Sequence, residues 1–132
     1  MAIFLDDRVY AKSHEWVKLS AGEDIAVCGV SDYAQEELND VVYVELPAVG
    51  DSLEQGERFA VIESVKAASD VFMPMSGEIV EVNVKLEESP QLVNEDAFGK
   101  GWLIKMRIKD RGEAEKLLDA KAYERLCSEE GS

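Results

Sequence analysis

A single lysine, Lys66, stands between Val65 and Ala67 in the stretch Glu63-Ser64-Val65-Lys66-Ala67-Ala68-Ser69-Asp70. An ammonium group is almost never fully buried without a partner, so this one is expected in water. An exposed lysine amine is the usual target of acylation. The plainer reading is a charge that keeps a hairpin from aggregating. The flanks support a hairpin: Phe59-Ala60-Val61-Ile62 enters, and Val71-Phe72-Met73 leaves and stops at Pro74. Two short strand-like runs a few residues apart predict a β-hairpin. Its tip nevertheless lacks the Asn-Gly or Asp-Gly of a tight turn.

Other reactive side chains are few. His14 is the only histidine, and the two cysteines are Cys28 and Cys127. Cys28 sits in the apolar run Ile25-Ala26-Val27-Cys28, where desolvation disfavours a thiolate nucleophile. The cysteines are too far apart in sequence for a disulfide framework or a metal cluster, and both read as core or half-buried thiols. A metal site would need more His or Cys at ligand spacing. An independent enzyme is therefore not expected. Ser13 and Glu15 read on their own as polar residues at a strand edge, and Asp70 as a hairpin cap.

The elements that must hold these groups are short. Trp16-Val17 with Leu19 predicts a strand, Gly22-Glu23-Asp24 a turn, and residues 25–30 its hairpin partner. Asp32 with Gln35 three residues later predicts a helix start, and Asn39-Asp40 its end. Val42, Val44 and Leu46 alternate with Tyr43 and Glu45, which predicts a half-buried strand ended by Pro47. Gly50-Asp51 and Gln55-Gly56 mark turns, and Ser76-Gly77 leads into an alternating strand over residues 78–84. Residues 85–101 read as irregular. Gly99-Lys100-Gly101 lacks the spacing of a phosphate loop. Trp102, Ile104, Met106 and Ile108 alternate with Leu103, Lys105, Arg107 and Lys109, whose basic side is expected to be a solvated sheet face. From Gly112 the period becomes 3.6: Leu118, Ala122 and Leu126 are four apart, with Ala114, Leu117 and Tyr123 nearby. That predicts an amphipathic C-terminal helix, with residues 128–132 fraying.

The 132 residues suit one domain over 1–132, with a core of about 9–127. A net charge of −14 argues against nucleic-acid binding and against anionic membranes. It favours partners with basic docking surfaces. No stretch approaches the ~20 apolar residues of a membrane span. Residues 1–7 have too short an apolar run and too early a pair of acids for a targeting peptide.

The string ESVKAASDVFMPMSGEIVEVN, residues 63 to 83, resembles the lipoyl-attachment site of the H proteins of the glycine cleavage system. Glu63, three residues before the lysine, and Gly77, eleven after it, fall where that family's lipoyl-attaching enzymes expect them. Tyr10 followed by Ser13-His14-Glu15-Trp16 is similar to the family's opening signature, while Tyr33 stands where a His is frequent. Biotin carriers typically flank their lysine with Met, and lipoyl domains of 2-oxo acid dehydrogenases with Asp and Ala; Val65 and Ala67 fit the H proteins best.

The resemblance implies a mainly β barrel-sandwich hybrid with a short internal helix and a C-terminal helix. It implies (R)-lipoic acid attached covalently to Lys66, and an arm cleft containing Ser13, Glu15 and Asp70. The chain would be a non-catalytic carrier, taking an aminomethyl group from glycine decarboxylase (P protein) to the tetrahydrofolate-dependent aminomethyltransferase (T protein). Dihydrolipoyl dehydrogenase (L protein) would reoxidise the arm. A monomer is expected, in the cytoplasm or, in a eukaryote, the mitochondrial matrix. The alternatives are an H-like protein relaying lipoyl groups to 2-oxo acid dehydrogenases, a biotin carrier of a carboxylase, and a non-carrier interaction module.

Overall fold

The computed structural model describes residues 2–19 and 24–130; the turn expected at Gly22 and Glu23 lies outside them. In chain order the elements are β1 Val9–Tyr10, β2 Glu15–Leu19, β3 Ile25–Val30, α1 Asp32–Leu38, β4 Val41–Glu45, β5 Ser52–Leu53, β6 Arg58–Ser64 and β7 Ala68–Phe72. Then come β8 Gly77–Val82, α2 Lys85–Glu88, α3 Leu92–Glu95, β9 Ile104–Ile108 and α4 Ala120–Glu130. One antiparallel sheet runs β1-β2-β3-β9-β8-β5, the other β4-β6-β7. The mainly β reading with an internal and a C-terminal helix holds. Side chains from both sheets meet in one core: Val17, Cys28 and Met106 from the larger, Val44, Ile62 and Val71 from the smaller.

Strand β2 serves two cores because successive side chains face opposite ways. Val17 enters the main core, while Trp16 joins Tyr10, Tyr123 and Cys127 in a second cluster under α4. Trp16 lies over Gly29, where any Cβ would come within 2.8 Å of the indole. The indole N–H donates to the Ala97 carbonyl at 3.1 Å. The Arg8 guanidinium stacks 4.5 Å from the ring.

Several local expectations are corrected. The cap of α1 is Ser31, not Asp32: its hydroxyl accepts from the Ala34 N–H at 3.1 Å. Asp32 sits in the first turn and accepts from Gln35 Nε2 at 2.9 Å. Asn39 ends the helix as expected, with its backbone at φ 64 and ψ −151. In β4 a bulge between Val41 and Tyr43 breaks the alternation. Val41 and Val44 are buried, and Val42 is 54% exposed. Residues 85–101 are not irregular throughout, because α2 and α3 pin the stretch by burying Leu86 and Val93.

At the C-terminus the expected single helix splits. A 3-10 segment, Arg111–Lys116, precedes Leu118, which bridges Tyr10. In α4 the buried pair is Tyr123 and Cys127, and Leu126 is only half-buried. The chain expected to fray from Ser128 is helical through Glu130, where His14 Nε2 meets the Glu130 carboxylate at 3.0 Å. The basic face of β9 is paired across the sheet, Lys105 with Glu81 at 3.3 Å and Arg107 with Glu78 at 4.0 Å.

Candidate functional site

Strands β6 and β7 pair from Arg58↔Phe72 to Glu63↔Ala68, which fixes the hairpin tip at Ser64-Val65-Lys66-Ala67. Ser64 supplies the turn chemistry that an Asn-Gly would otherwise give. Its N–H donates to the Ala67 carbonyl at 2.9 Å. Its hydroxyl oxygen accepts from the Lys66 and Ala67 N–H groups, both at 3.1 Å. A serine bonding the backbone two and three residues on is a recognised turn device. The Val65 N–H donates to the Asp40 carbonyl at 3.0 Å and ties the tip to the start of β4.

Lys66 is exposed, and its Nζ donates to the Glu37 carbonyl at 3.2 Å, in the last turn of α1. It stands at the edge of a cavity of about 460 Å3. The hairpin contributes Ser64, Lys66 and Asp70 to the walls. The β1–β2 turn contributes Ser13, His14 and Glu15; α1 adds Tyr33, Ala34, Glu37 and Leu38. Val30, Ile62 and Val71 make an apolar lining. The structure thus brings Lys66, Ser13, Glu15 and Asp70, drawn from separate stretches of sequence, to one cavity.

Glu15 is 1% exposed. Its carboxylate accepts from the Ser13 hydroxyl and, at 3.0 Å, from the Phe72 N–H. Burial pushes its pKa up to about 7, against the lowering effect of those two donors. Asp70 is not a hairpin cap: it lies in β7 opposite Val61 and pairs with Arg58 at 3.6 Å. Glu63 is exposed on β6, beside the tip, and does not line the cavity. Gly77 is buried in β8, and a Cβ there would come 2.8 Å from the Arg107 carbonyl oxygen. Even a methyl group at Gly77 would therefore force its neighbours to shift.

The His14 imidazole is turned away from nucleophilic chemistry. Its Nδ1 lies 2.7 Å from the Tyr123 hydroxyl and its Nε2 meets Glu130. Cys28 is fully buried, and burial raises its thiol pKa well above the ordinary value. Of the α1 residues on the wall, Tyr33 was singled out in the sequence, but Ala34, Glu37 and Leu38 escaped the reading. So did Tyr123 and Glu130, which approach only through tertiary packing. The one available signal was the left-handed backbone of His14, at φ 79, and a conformation is not visible in a residue string.

A family profile described as "Glycine cleavage H-protein" matches residues 8–130. The chain is 49% identical over 131 residues to a glycine cleavage system H protein of Carboxydothermus hydrogenoformans, covering 99% of both chains. It is 52% identical over 129 residues to "Glycine cleavage system H protein 2, mitochondrial" of Arabidopsis thaliana, covering 98% of this chain and 81% of that one. The crystal structure of a glycine cleavage system H protein from Mycobacterium marinum superposes with a TM-score of 0.81 at 33% identity, over 97% of this chain and 99% of the other.

Proposed function

The chain belongs to the glycine cleavage H-protein family, and from that premise we propose that Lys66 bears the lipoyl arm of a glycine cleavage carrier. The observation that carries the proposal is an exposed amine on a hairpin tip, at the edge of a cavity that also holds Ser13, Glu15 and Asp70. The site fits the group. Ser64 fixes the tip so that the lysine projects clear of the strands. Val30, Ile62 and Val71 suit an aliphatic chain, and the carboxylates suit a cationic end. When bound, the lipoyl disulfide supplies reversible redox chemistry and a sulfur to hold the aminomethyl group.

The chain's own residues do the rest. Lys66 provides the amine for acylation and the pivot of the arm. Tethering makes each encounter one of high effective concentration. The apolar lining keeps water from a hydrolysable load. Glu15, steadied by Ser13 and the Phe72 N–H, offers a buried acceptor for an ammonium. Asp70 adds a second carboxylate on the same hairpin. Glu63 and Gly77 belong in this reading to recognition by the lipoyl-attaching enzyme. Glu63 is displayed beside the tip, and Gly77 acts through the close packing of β8 on β9.

The partners in this reading are glycine decarboxylase, the aminomethyltransferase, dihydrolipoyl dehydrogenase and the lipoyl-attaching enzyme. The chain performs no catalysis of its own, works as a monomer and folds as a single domain. Among the described residues no helix is long and apolar enough to cross a membrane. We place the protein in the cytoplasm, or in the mitochondrial matrix of a eukaryote. The family match favours glycine cleavage over biotin carriage and over lipoyl relay.

Expression in lipoate-fed cells, followed by intact mass and peptide mapping, is expected to show one lipoyl group on Lys66. Lys66→Arg is expected to stay unmodified and to support no glycine cleavage with purified partners, because a guanidinium cannot replace the acylated amine. Glycine cleavage by that variant would end the proposal.

A further inference from the structure

The β1–β2 turn places Ser13 and Glu15 on either side of a residue with left-handed backbone, His14 at φ 79. Side chains rarely adopt that conformation, and Gly or Asn would adopt it more readily. The backbone of His14 is bound on both sides: its N–H donates to the Ala11 carbonyl at 2.9 Å, and its carbonyl accepts from the Ser31 N–H at 2.9 Å. The imidazole is fixed from the far end of the chain. Tyr123 of α4 is fully buried and stacked on Tyr10, with ring centroids 4.4 Å apart and planes 2° apart. Its hydroxyl reaches His14 Nδ1 at 2.7 Å and Ser31 Oγ at 2.5 Å.

One arrangement of protons satisfies every member of this group. His14 Nε2–H donates to Glu130, and Nδ1 accepts from the Tyr123 O–H. The Tyr123 oxygen then accepts from the Ser31 O–H, whose oxygen accepts from the Ala34 N–H. The same contacts tie the β1–β2 turn and the end of α4, which reach the cavity through His14 and Glu130, to the N-cap of α1.

We propose that Tyr123 is a positioning residue: through its hydroxyl bond to His14 it holds the left-handed turn that keeps the Glu15 carboxylate buried against Ser13 and Phe72. The role of Glu15 toward the arm rests on the carrier reading above; the positioning role does not. Without the hydroxyl, the imidazole loses its fixed partner and the turn relaxes toward ordinary backbone. Glu15 then swings toward water. The groups that bear on its titration are Ser13, the Phe72 N–H and its own backbone N–H; Lys66, Asp70, Glu37 and Glu130 share the cavity.

The test is a carbon-detected NMR titration of the Glu15 carboxyl in the unmodified full chain, so its outcome is independent of whether Lys66 can be lipoylated. In the parent protein the midpoint is expected near 7. Tyr123→Phe keeps the ring and its stacking and removes only the hydroxyl. It is expected to lower the midpoint by about one unit as the carboxyl regains solvent. His14→Ala removes the imidazole that reaches Tyr123 and does not favour the left-handed backbone, and it is expected to give the same drop. The double variant is expected to fall no further than either single one, since both break one link. An unchanged Glu15 midpoint in folded Tyr123→Phe would overturn the proposal. So would additive shifts in the double variant. Should Tyr123→Phe not fold, an unchanged midpoint in His14→Ala alone would overturn it.

Discussion

Glu15 keeps a carboxyl group 1% exposed beside one hydroxyl and one amide N–H. Its folded pKa of about 7 lies above the ordinary 4.5. Between those values the native state holds more protons than the unfolded chain, so stability falls as pH rises from about 4.5 to about 7 and stays low above that. The ionised carboxylate then costs on the order of 3 kcal/mol at neutral to alkaline pH. Glu15→Gln keeps an acceptor for Phe72 and removes the charge. Denaturant unfolding is expected to find it more stable than the parent by about 1–3 kcal/mol near pH 8, with the difference gone near the ordinary carboxyl pKa. An equal difference at both pH values would mean that the carboxyl is not titrating in place.

Gly77 is a second residue with a sharp expectation. A methyl group there would press on the Arg107 carbonyl at 2.8 Å and the Met106 sulfur at 3.1 Å. Gly77→Ala is expected to destabilise the fold by about 1–3 kcal/mol, as overpacked sites do. If Gly77 also serves the lipoyl-attaching enzyme only through this packing, its modification rate should recover when stability is restored elsewhere. Lys66 was legible at this scale because an exposed amine needs nothing from the fold but a tip. Glu15 was legible as a polar residue, but its burial was not, because the residues that bury it lie up to 57 positions away.

The elements themselves were legible where short apolar runs are separated by turn or breaker residues. The β2–β3 pair and the β6–β7 hairpin follow from such runs, and both pairings are formed. The misreadings share a cause, which is tertiary contact overriding local pattern. The β4 alternation Val42, Val44, Leu46 gave way to a bulge that buries Val41 instead. The C-terminal stripe shifted to Tyr123 and Cys127 because the neighbouring surface is the aromatic cluster around Tyr10. In residues 85–101, single buried side chains, Leu86 and Val93, were enough to pin four-residue helices, too short for a periodicity to register. At α1 the cap falls on Ser31, one residue before the expected Asp32. Ser31→Ala removes the cap hydroxyl and one partner of Tyr123. Thermal unfolding is expected to show a loss of about 1–2 kcal/mol, with faster amide exchange at Ala34. An unchanged midpoint would mean that Asp32 can take over the capping.

Taken whole, the molecule is strongly acidic, with a net charge of −14. Such a field speeds the approach of basic surfaces and weakens as salt screens it. The apparent kcat/KM of a partner enzyme, with this protein as the varied substrate, is expected to drop several-fold between ~0.01 M and ~0.15 M salt, as the Debye length shortens from about 30 Å to about 8 Å. A flat salt profile would assign the charge to solubility alone. The many short strands were legible from the residues; the two-sheet plan came only with the family resemblance, and so did the cleft of Ser13, Glu15 and Asp70. Its walls come from the β1–β2 turn, α1 and the β6–β7 hairpin, and no local pattern announces that they will meet.

The amine of Lys66 and the acid of Asp70 sit on one hairpin, with Glu15 behind them. If Lys66 bears the proposed arm, whatever hangs from it would reach Glu15 and Asp70 by doubling back over its own root, and sheltering or offering a load would need only a swivel at the hairpin tip.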